Sequence, residues 1–243
     1  MPSCPKAASR TDKQQTSVRC AISIGRAGDR RTESDASIAR SVDSMKLYSA
    51  VPSPFCRKVR ICAIELGLAD RMEVVAQKPR DGTTGFHEVN PVARIPALVT
   101  DDGQVLYDSP VICEYLDSIG GGTLIPAAGA QRWDALRRQA MGDGLLDAAF
   151  PLRAELARDA SQRDAEIVSR HRATMLRVLD AADRDPATDP GRTIDIGSIA
   201  VGAAISWLDF RIPDLGWRAS RQRLSDWHAA ISERPSFRTT QPS

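Results

Sequence analysis

Residues 48–66 read YSAVPSPFCRKVRICAIEL, and within them Ser53-Pro54-Phe55-Cys56 forms a turn into a helical pattern. A dithiol redox site carries Cys at both outer positions, because one sulfur must attack the bond formed by the other. Position 53 is serine, so disulfide cycling lacks its attacking sulfur and the thiol is left for a substrate to bring. Serine ahead of proline is also simply a good helix start, with Ser as N-cap and Pro at the first helical position. On the chemical reading, the positive end of that helix favours a sulfur anion over its thiol. A hydroxyl there would donate a hydrogen bond to the anion, since it holds its own proton too tightly to act as a base. Cys56 feels the same helix end and is either a small packing group or an alternative nucleophile.

Asp108-Ser109-Pro110 repeats the Ser-Pro helix start and offers a second anion site, or a capping pair without a ligand. Arg94-Ile95-Pro96 stands at the entry to a strand, where Pro96 fits an edge position and Arg94 a solvated loop. Asp143 and Asp147 lie one turn apart on a helix. They read as a polar face, or as carboxylates that approach a charged ligand or a partner subunit. The three histidines, His87, His171 and His228, show no zinc spacing, so no metal is expected. The five cysteines, Cys4, Cys20, Cys56, Cys62 and Cys113, form no Cys-x-x-Cys, which fits a reducing compartment.

The elements that must position these residues are legible from periodicity. MKLYSA (45–50) predicts a strand, and Phe55, Val59, Cys62 and Leu66 form one face of a helix ended by Gly67. MEVVA (72–76) is a second strand, parallel to the first through the βαβ crossover. IPALVT and QVLYD form a hairpin across Asp101-Asp102-Gly103, and SPVICEYLDSIG a closing helix. Beyond a Gly/Pro linker near 120–129 the pattern is helical throughout. Its stripes are Trp133, Leu136, Ala140, Met141, Leu145; then Ile167, His171, Leu176, Leu179; then Ile196, Ile199, Ala203, Trp207. Asp195 is the expected N-cap of the third, and SRQRLSDWHAAISERPSF supplies a last helix.

Length and composition bound the rest. A chain of 243 residues with 42% hydrophobic and 26% charged content can bury a sizeable core. Residues 1–44 hold eight of the basic and five of the acidic residues and no Leu, Phe, Tyr or Trp. Such a segment cannot offset its ordering entropy, so a disordered tail is expected. Met45 reads as a natural start, which makes 1–44 either a mis-assigned beginning or a functional tail. The remainder is near neutral without a basic stripe, which argues against a nucleic-acid surface. The run IAVGAAI (199–205) is too short to span a bilayer.

In this order and spacing, MKLYSAVPSPFCRKVR, NPVARIPALV and LYDSPVICEYLD resemble the cytosolic glutathione S-transferases, the bacterial serine-type branches best. SIAVGAAISWLDFR and RLSDWHAAISERPSF are similar to that family's helical half, so the resemblance covers about 45–240. It implies an α/β plus all-α fold: a thioredoxin-like domain over 45–120, then an all-helical bundle domain over 129–243. It further implies a cytoplasmic homodimer, glutathione as co-substrate without a metal, and attack of the glutathione thiolate on a small hydrophobic electrophile. Ser53 would stabilise the thiolate. A cis Ile95–Pro96 bond would present the Ile95 backbone to the cysteinyl unit. Ser109 would hold the γ-glutamyl carboxylate and Asp108 its ammonium, although the family more often has the longer Glu there. Arg94 would pair with the glycine carboxylate or remain solvated. The electrophile would lie between the domains near Met141, Leu145 and Phe150, with Trp207, Trp227 and Phe237 as core. The alternatives are a glutathione-dependent thiol transferase or isomerase using Cys56, and a silent interaction module. The intact set Ser53, Pro96, Asp108 and Ser109 argues against the last.

Overall fold

The computed structural model describes residues 44–78 and 83–242. The expected tail over 1–44 lies, except for its last residue, outside them. Strand β1 (Met45–Ser49) buries Met45, Leu47 and Ser49 and turns Lys46 outward, the alternation of a pleated strand. It pairs in parallel with β2 (Met72–Ala76) and antiparallel with β3 (Ala97–Val99), which pairs with β4 (Val105–Leu106). The sheet order is β2-β1-β3-β4. Parallel β1 and β2 require a crossover, and helix α1 (Pro54–Glu65) supplies it. Helix α2 (Phe86–Val89) precedes β3, and α3 (Ser109–Ile119) follows β4.

Helix α1 is buried nearly all round rather than on the single face its spacing predicts. Arg57 and Lys58 are as enclosed as Val59 and Ile61. The reason is its neighbours: α1 packs on α3 and also on helices of the second half. The second half comprises α4 (Gly129–Leu156), α5 (Ala165–Arg184), α6 (Ile196–Arg211), α7 (Gln222–Ser232) and α8 (Pro235–Arg238), of which α6 and α8 pack on α1. No strand follows β4 among the described residues, giving a thioredoxin-like sheet-and-helix domain followed by a helical one. No helix among them is long and apolar enough to cross a membrane. The last predicted helix is divided before Pro235, which cannot donate to the preceding turn.

The stripe predicted on α4 is also shifted. Trp133 is 68% exposed, and the inward residues are Ala135, Arg138, Gln139, Gly142, Leu145, Leu146, Ala149 and Leu152. Small residues face α6 because the two helices nearly touch. A Cβ on Gly142 would lie 2.6 Å from the Ala200 carbonyl carbon, and one on Gly197 2.6 Å from the Arg138 Cβ. Buried Arg138 donates from both terminal nitrogens to Asp195, at 2.8 and 2.7 Å. Asp195 also accepts from the Ser198 N–H at 2.8 Å, the expected N-cap.

Near its start, the helix that follows Ser53 is tied to the second half by an ion pair. Lys58 Nζ, on α1, donates to both carboxylate oxygens of Asp143, on α4, at 2.7 Å. Burial pushes the Asp143 carboxyl up, with Asp108 and Asp147 adding to the shift and Lys58 opposing it. Removing one partner of a buried pair leaves a charge without compensation, which is worse than removing both. Lys58→Met is therefore expected to cost about 3 kcal/mol in denaturant unfolding, and Lys58→Met with Asp143→Leu to recover most of it. Equal losses in the single and double variants would show the two sites to be uncoupled.

His228 is a second buried titratable group. Arg218 can only donate, so the 3.1 Å contact to Nδ1 leaves the proton on Nε2, 2.9 Å from Ser206 Oγ. Ser206 in turn donates to the Gly202 carbonyl at 2.9 Å. Burial lowers the His228 pKa to about 4, with Arg218 and Arg57 adding to the effect and Asp209 opposing it. Below the ordinary histidine pKa of about 6.5 the unfolded chain takes up a proton that the folded one refuses. Stability is thus expected to fall between about pH 6.5 and pH 4, by at most about 3 kcal/mol from this group. His228→Gln should flatten that part of the stability–pH profile, and an unchanged slope would remove His228 as its source.

Candidate functional site

Two cavities share a wall beside the start of α1. The larger, about 530 Å³, is lined by Ser53 and Phe55 on one side and by Phe150, Arg153, Trp207 and Arg211 on the other. The smaller, about 320 Å³, is lined by Arg94, Ile95, Pro96, Asp108 and Ser109, together with Asp143 and Asp147. Phe55, Arg94, Ile95 and Asp147 border both. Five residues expected to act together, Arg94, Ile95, Pro96, Asp108 and Ser109, thus meet in one cavity, and Ser53 opens into the next.

Ser53 is half-buried with extended backbone, the geometry of an N-cap. Its Oγ accepts from the Cys56 N–H at 3.3 Å, and its own N–H donates to the Ala50 carbonyl at 3.1 Å. Cys56 lies behind it, fully buried, and lines neither cavity. Burial pushes the Cys56 thiol up, and hydrogen bonds from Ser53, Ala50 and Ser49 offset only part of this.

The Ile95–Pro96 peptide bond is cis, and so is Tyr107–Asp108. Asp108 is the N-cap residue of α3, yet its side chain makes no capping hydrogen bond. Ser109, the first residue of α3, is buried. The loop before Ile95 is shaped by Asn90, a residue whose part the sequence reading missed. Asn90 is buried, donates from Nδ2 to the Arg94 carbonyl at 2.7 Å, and accepts from the Val92 N–H at 3.0 Å. Between them Ala93 takes a left-handed φ of 53°, a conformation a Cβ disfavours. The available signal was the Asn90-Pro91 pair, a common turn opening.

The wall contributed by the second half differs from expectation. Of Met141, Leu145 and Phe150, only Phe150 lines the larger cavity; Leu145 is core and Met141 packs against it. Helical spacing explains this: Asp143, Asp147 and Phe150 recur at four and three, and Leu145 falls on the opposite side. Asp143 and Asp147 are therefore cavity residues, not a purely solvated face. Phe150 stacks at 6.0 Å on Phe55 and lies 4.6 Å from Trp207. Trp207 is buried, as a core residue should be, and still borders the cavity. Its indole N–H donates to the Pro52 carbonyl at 3.1 Å, next to Ser53. Among the described residues no group of three His, Cys, Asp or Glu side chains is arranged to hold a metal.

The family model of the glutathione S-transferase N-terminal domain matches residues 52–119. Over 204 residues the chain is 30% identical to the uncharacterised GST-like protein YibF of Escherichia coli (strain K12), spanning 82% of this chain and 98% of that one. A glutathione transferase family member from Pseudomonas fluorescens Pf-5, solved with bound glutathione, is 37% identical with a TM-score of 0.78. The match covers 82% of this chain and 100% of that one. A second structure from the same organism, with bound S-(propanoic acid)-glutathione, gives 37% identity, a TM-score of 0.74 and coverage of 82% and 99%. Because the likeness runs the length of these relatives, through the sheet and the helices alike, the chain belongs to the glutathione S-transferase family.

Proposed function

We propose that the protein conjugates glutathione to a small electrophile, with Ser53 stabilising the thiolate. The observation that carries this reading is the placement of the Ser53 hydroxyl at the start of α1 and on the larger cavity. The cap uses an oxygen lone pair, so the O–H proton remains available to donate to a sulfur anion. The positive end of α1 acts in the same direction. Lowering a thiol pKa by two units requires only about 2.7 kcal/mol.

Glutathione would occupy the smaller cavity. The Ile95 backbone would pair with its cysteinyl unit as an added strand does. Ser109 and the first N–H groups of α3 would take the γ-glutamyl carboxylate. The Asp108 carboxylate, unused in capping, would face the ammonium, with Asp147 adding negative charge. Arg94 would take the glycine carboxylate. The sulfur would then lie by Ser53, facing an electrophile held against Phe55, Phe150 and Trp207. Support comes from the Pseudomonas fluorescens relatives, solved with glutathione and with a glutathione thioether of the kind conjugation makes. Thiol transfer through Cys56 is disfavoured by its burial and raised pKa. The reading extends to a cytoplasmic homodimer.

Ser53→Ala separates the two parts of the serine. Losing the cap should cost about 1 kcal/mol of stability. Losing the donor should raise the apparent pKa of bound glutathione and lower turnover with 1-chloro-2,4-dinitrobenzene near neutral pH by about ten- to a hundredfold. The deficit should shrink as pH rises, since solvent then ionises the thiol unaided. Cys56→Ala should do much less. The reverse pattern, with Cys56→Ala inactive and Ser53→Ala nearly silent, would make this a cysteine-dependent thiol transferase.

Ser109→Ala tests the anion site. It should weaken glutathione binding, measured by calorimetry, by about 1–3 kcal/mol while the fold survives. Unaltered affinity would mean that the γ-glutamyl group is held elsewhere.

A further inference from the structure

The larger cavity carries more charge than a neutral hydrophobic acceptor needs. Its wall of Phe55, Phe150 and Trp207 suits a small flat body. Around that wall stand Arg94, Arg153 and Arg211 against a single carboxylate, Asp147. Arg94 and Asp147 also border the smaller cavity, whereas Arg153, on α4, and Arg211, at the end of α6, border only the larger. Arg138 and Arg234 are matched by Asp195 and Glu65. Neither Arg153 nor Arg211 forms an ion pair among the described residues. Arg211 lies 4.0 Å over the Phe210 ring, a contact that leaves its N–H donors free. Two guanidinium groups beside an apolar wall in a partly enclosed cleft concentrate anions and match a carboxylate with paired hydrogen bonds.

We infer that the larger cavity selects electrophiles bearing a carboxylate on a small aromatic or unsaturated body, and that Arg153 and Arg211 bind that carboxylate. The inference rests on the conjugation reading above. With an aryl chloride of this class the glutathione sulfur forms a bond to the ring carbon. Chloride then leaves with the electron pair that bound it, so the step needs no further reactant.

The test compares 4-chloro-3-nitrobenzoate with 4-chloro-3-nitrobenzamide, each kcat/KM being divided by the uncatalysed rate constant of the same compound. The benzoate is expected to be favoured by about tenfold or more, the effect of one charge-assisted contact. In Arg153→Gln with Arg211→Gln the preference should fall to within about threefold. Calorimetry on the two glutathione thioether products, carboxylate and carboxamide, gives a readout that does not require turnover, with the same preference and the same loss expected. Turnover of both compounds without preference would overturn the inference and leave conjugation standing. Failure to turn over either compound, with the carboxylate thioether still preferred and the preference dependent on the arginines, would overturn conjugation and leave the anion site standing. No preference in turnover or in binding sinks the inference.

Discussion

How closely α4 and α6 approach determines the shape of the site. Where Gly142 meets the Ala200 backbone there is no room for a Cβ, and the same holds where Gly197 meets Arg138. Close approach lets Arg138 reach Asp195 with both nitrogens, which fixes the start of α6 relative to α4. Further along the same seam Phe150 of α4 meets Trp207 of α6, 4.6 Å between ring centres. Trp207 then reaches out of the helical half to the Pro52 carbonyl, one residue from Ser53. A continuous set of contacts thus runs from two glycines to the hydroxyl at the head of α1. Interiors packed this tightly transmit small displacements rather than absorbing them.

Helix α1 is the element on which both halves close. It lies against α3 on the sheet side and against α6 and α8 on the other, and it takes charged residues into the interior. Lys58 is matched by Asp143; Arg57 donates to the Phe237 carbonyl at 3.1 Å and lies over the Phe237 ring. At the far end of the helix Glu65 accepts from Arg234 at 2.9 and 2.6 Å. Lys58 and Glu65 are held by opposite charges and so define the pose of α1 more narrowly than apolar packing would, whereas one terminal nitrogen of Arg57 is buried without a hydrogen-bond partner among the described residues.

What was legible in the sequence was local. Alternation marked β1, the Asp101-Asp102-Gly103 turn marked the hairpin, and Ser-Pro pairs marked the starts of α1 and α3. Each of these signals is decided by a few neighbouring residues and their backbone sterics. What was not legible depends on partners remote in sequence. Lys58 reads as an ordinary polar helix residue until Asp143, 85 positions away, is placed beside it. Trp133 looks like core because tryptophan is apolar, but α4 turns its small residues inward to admit α6. Met141 and Leu145 looked like cavity lining, and the phase of the helix gives that place to Asp147 and Phe150. Arg153 and Arg211 are two arginines among many, and only the fold sets them on one cavity.

The shared wall between the cavities has an evolutionary consequence. Phe55, Arg94, Ile95 and Asp147 belong to both spaces, so a substitution at any of them alters two environments at once. Phe150, Pro151, Arg153, Trp207 and Arg211 belong to the larger space alone, and all come from α4 and α6. Trp207 is constrained further by its bond to Pro52 and Phe150 by its ring contacts with Phe55 and Trp207, which leaves Arg153 and Arg211 as positions where drift is least coupled to the rest. Descendants of this sequence can therefore change what enters the larger space through a few helix positions, while the smaller one is inherited intact.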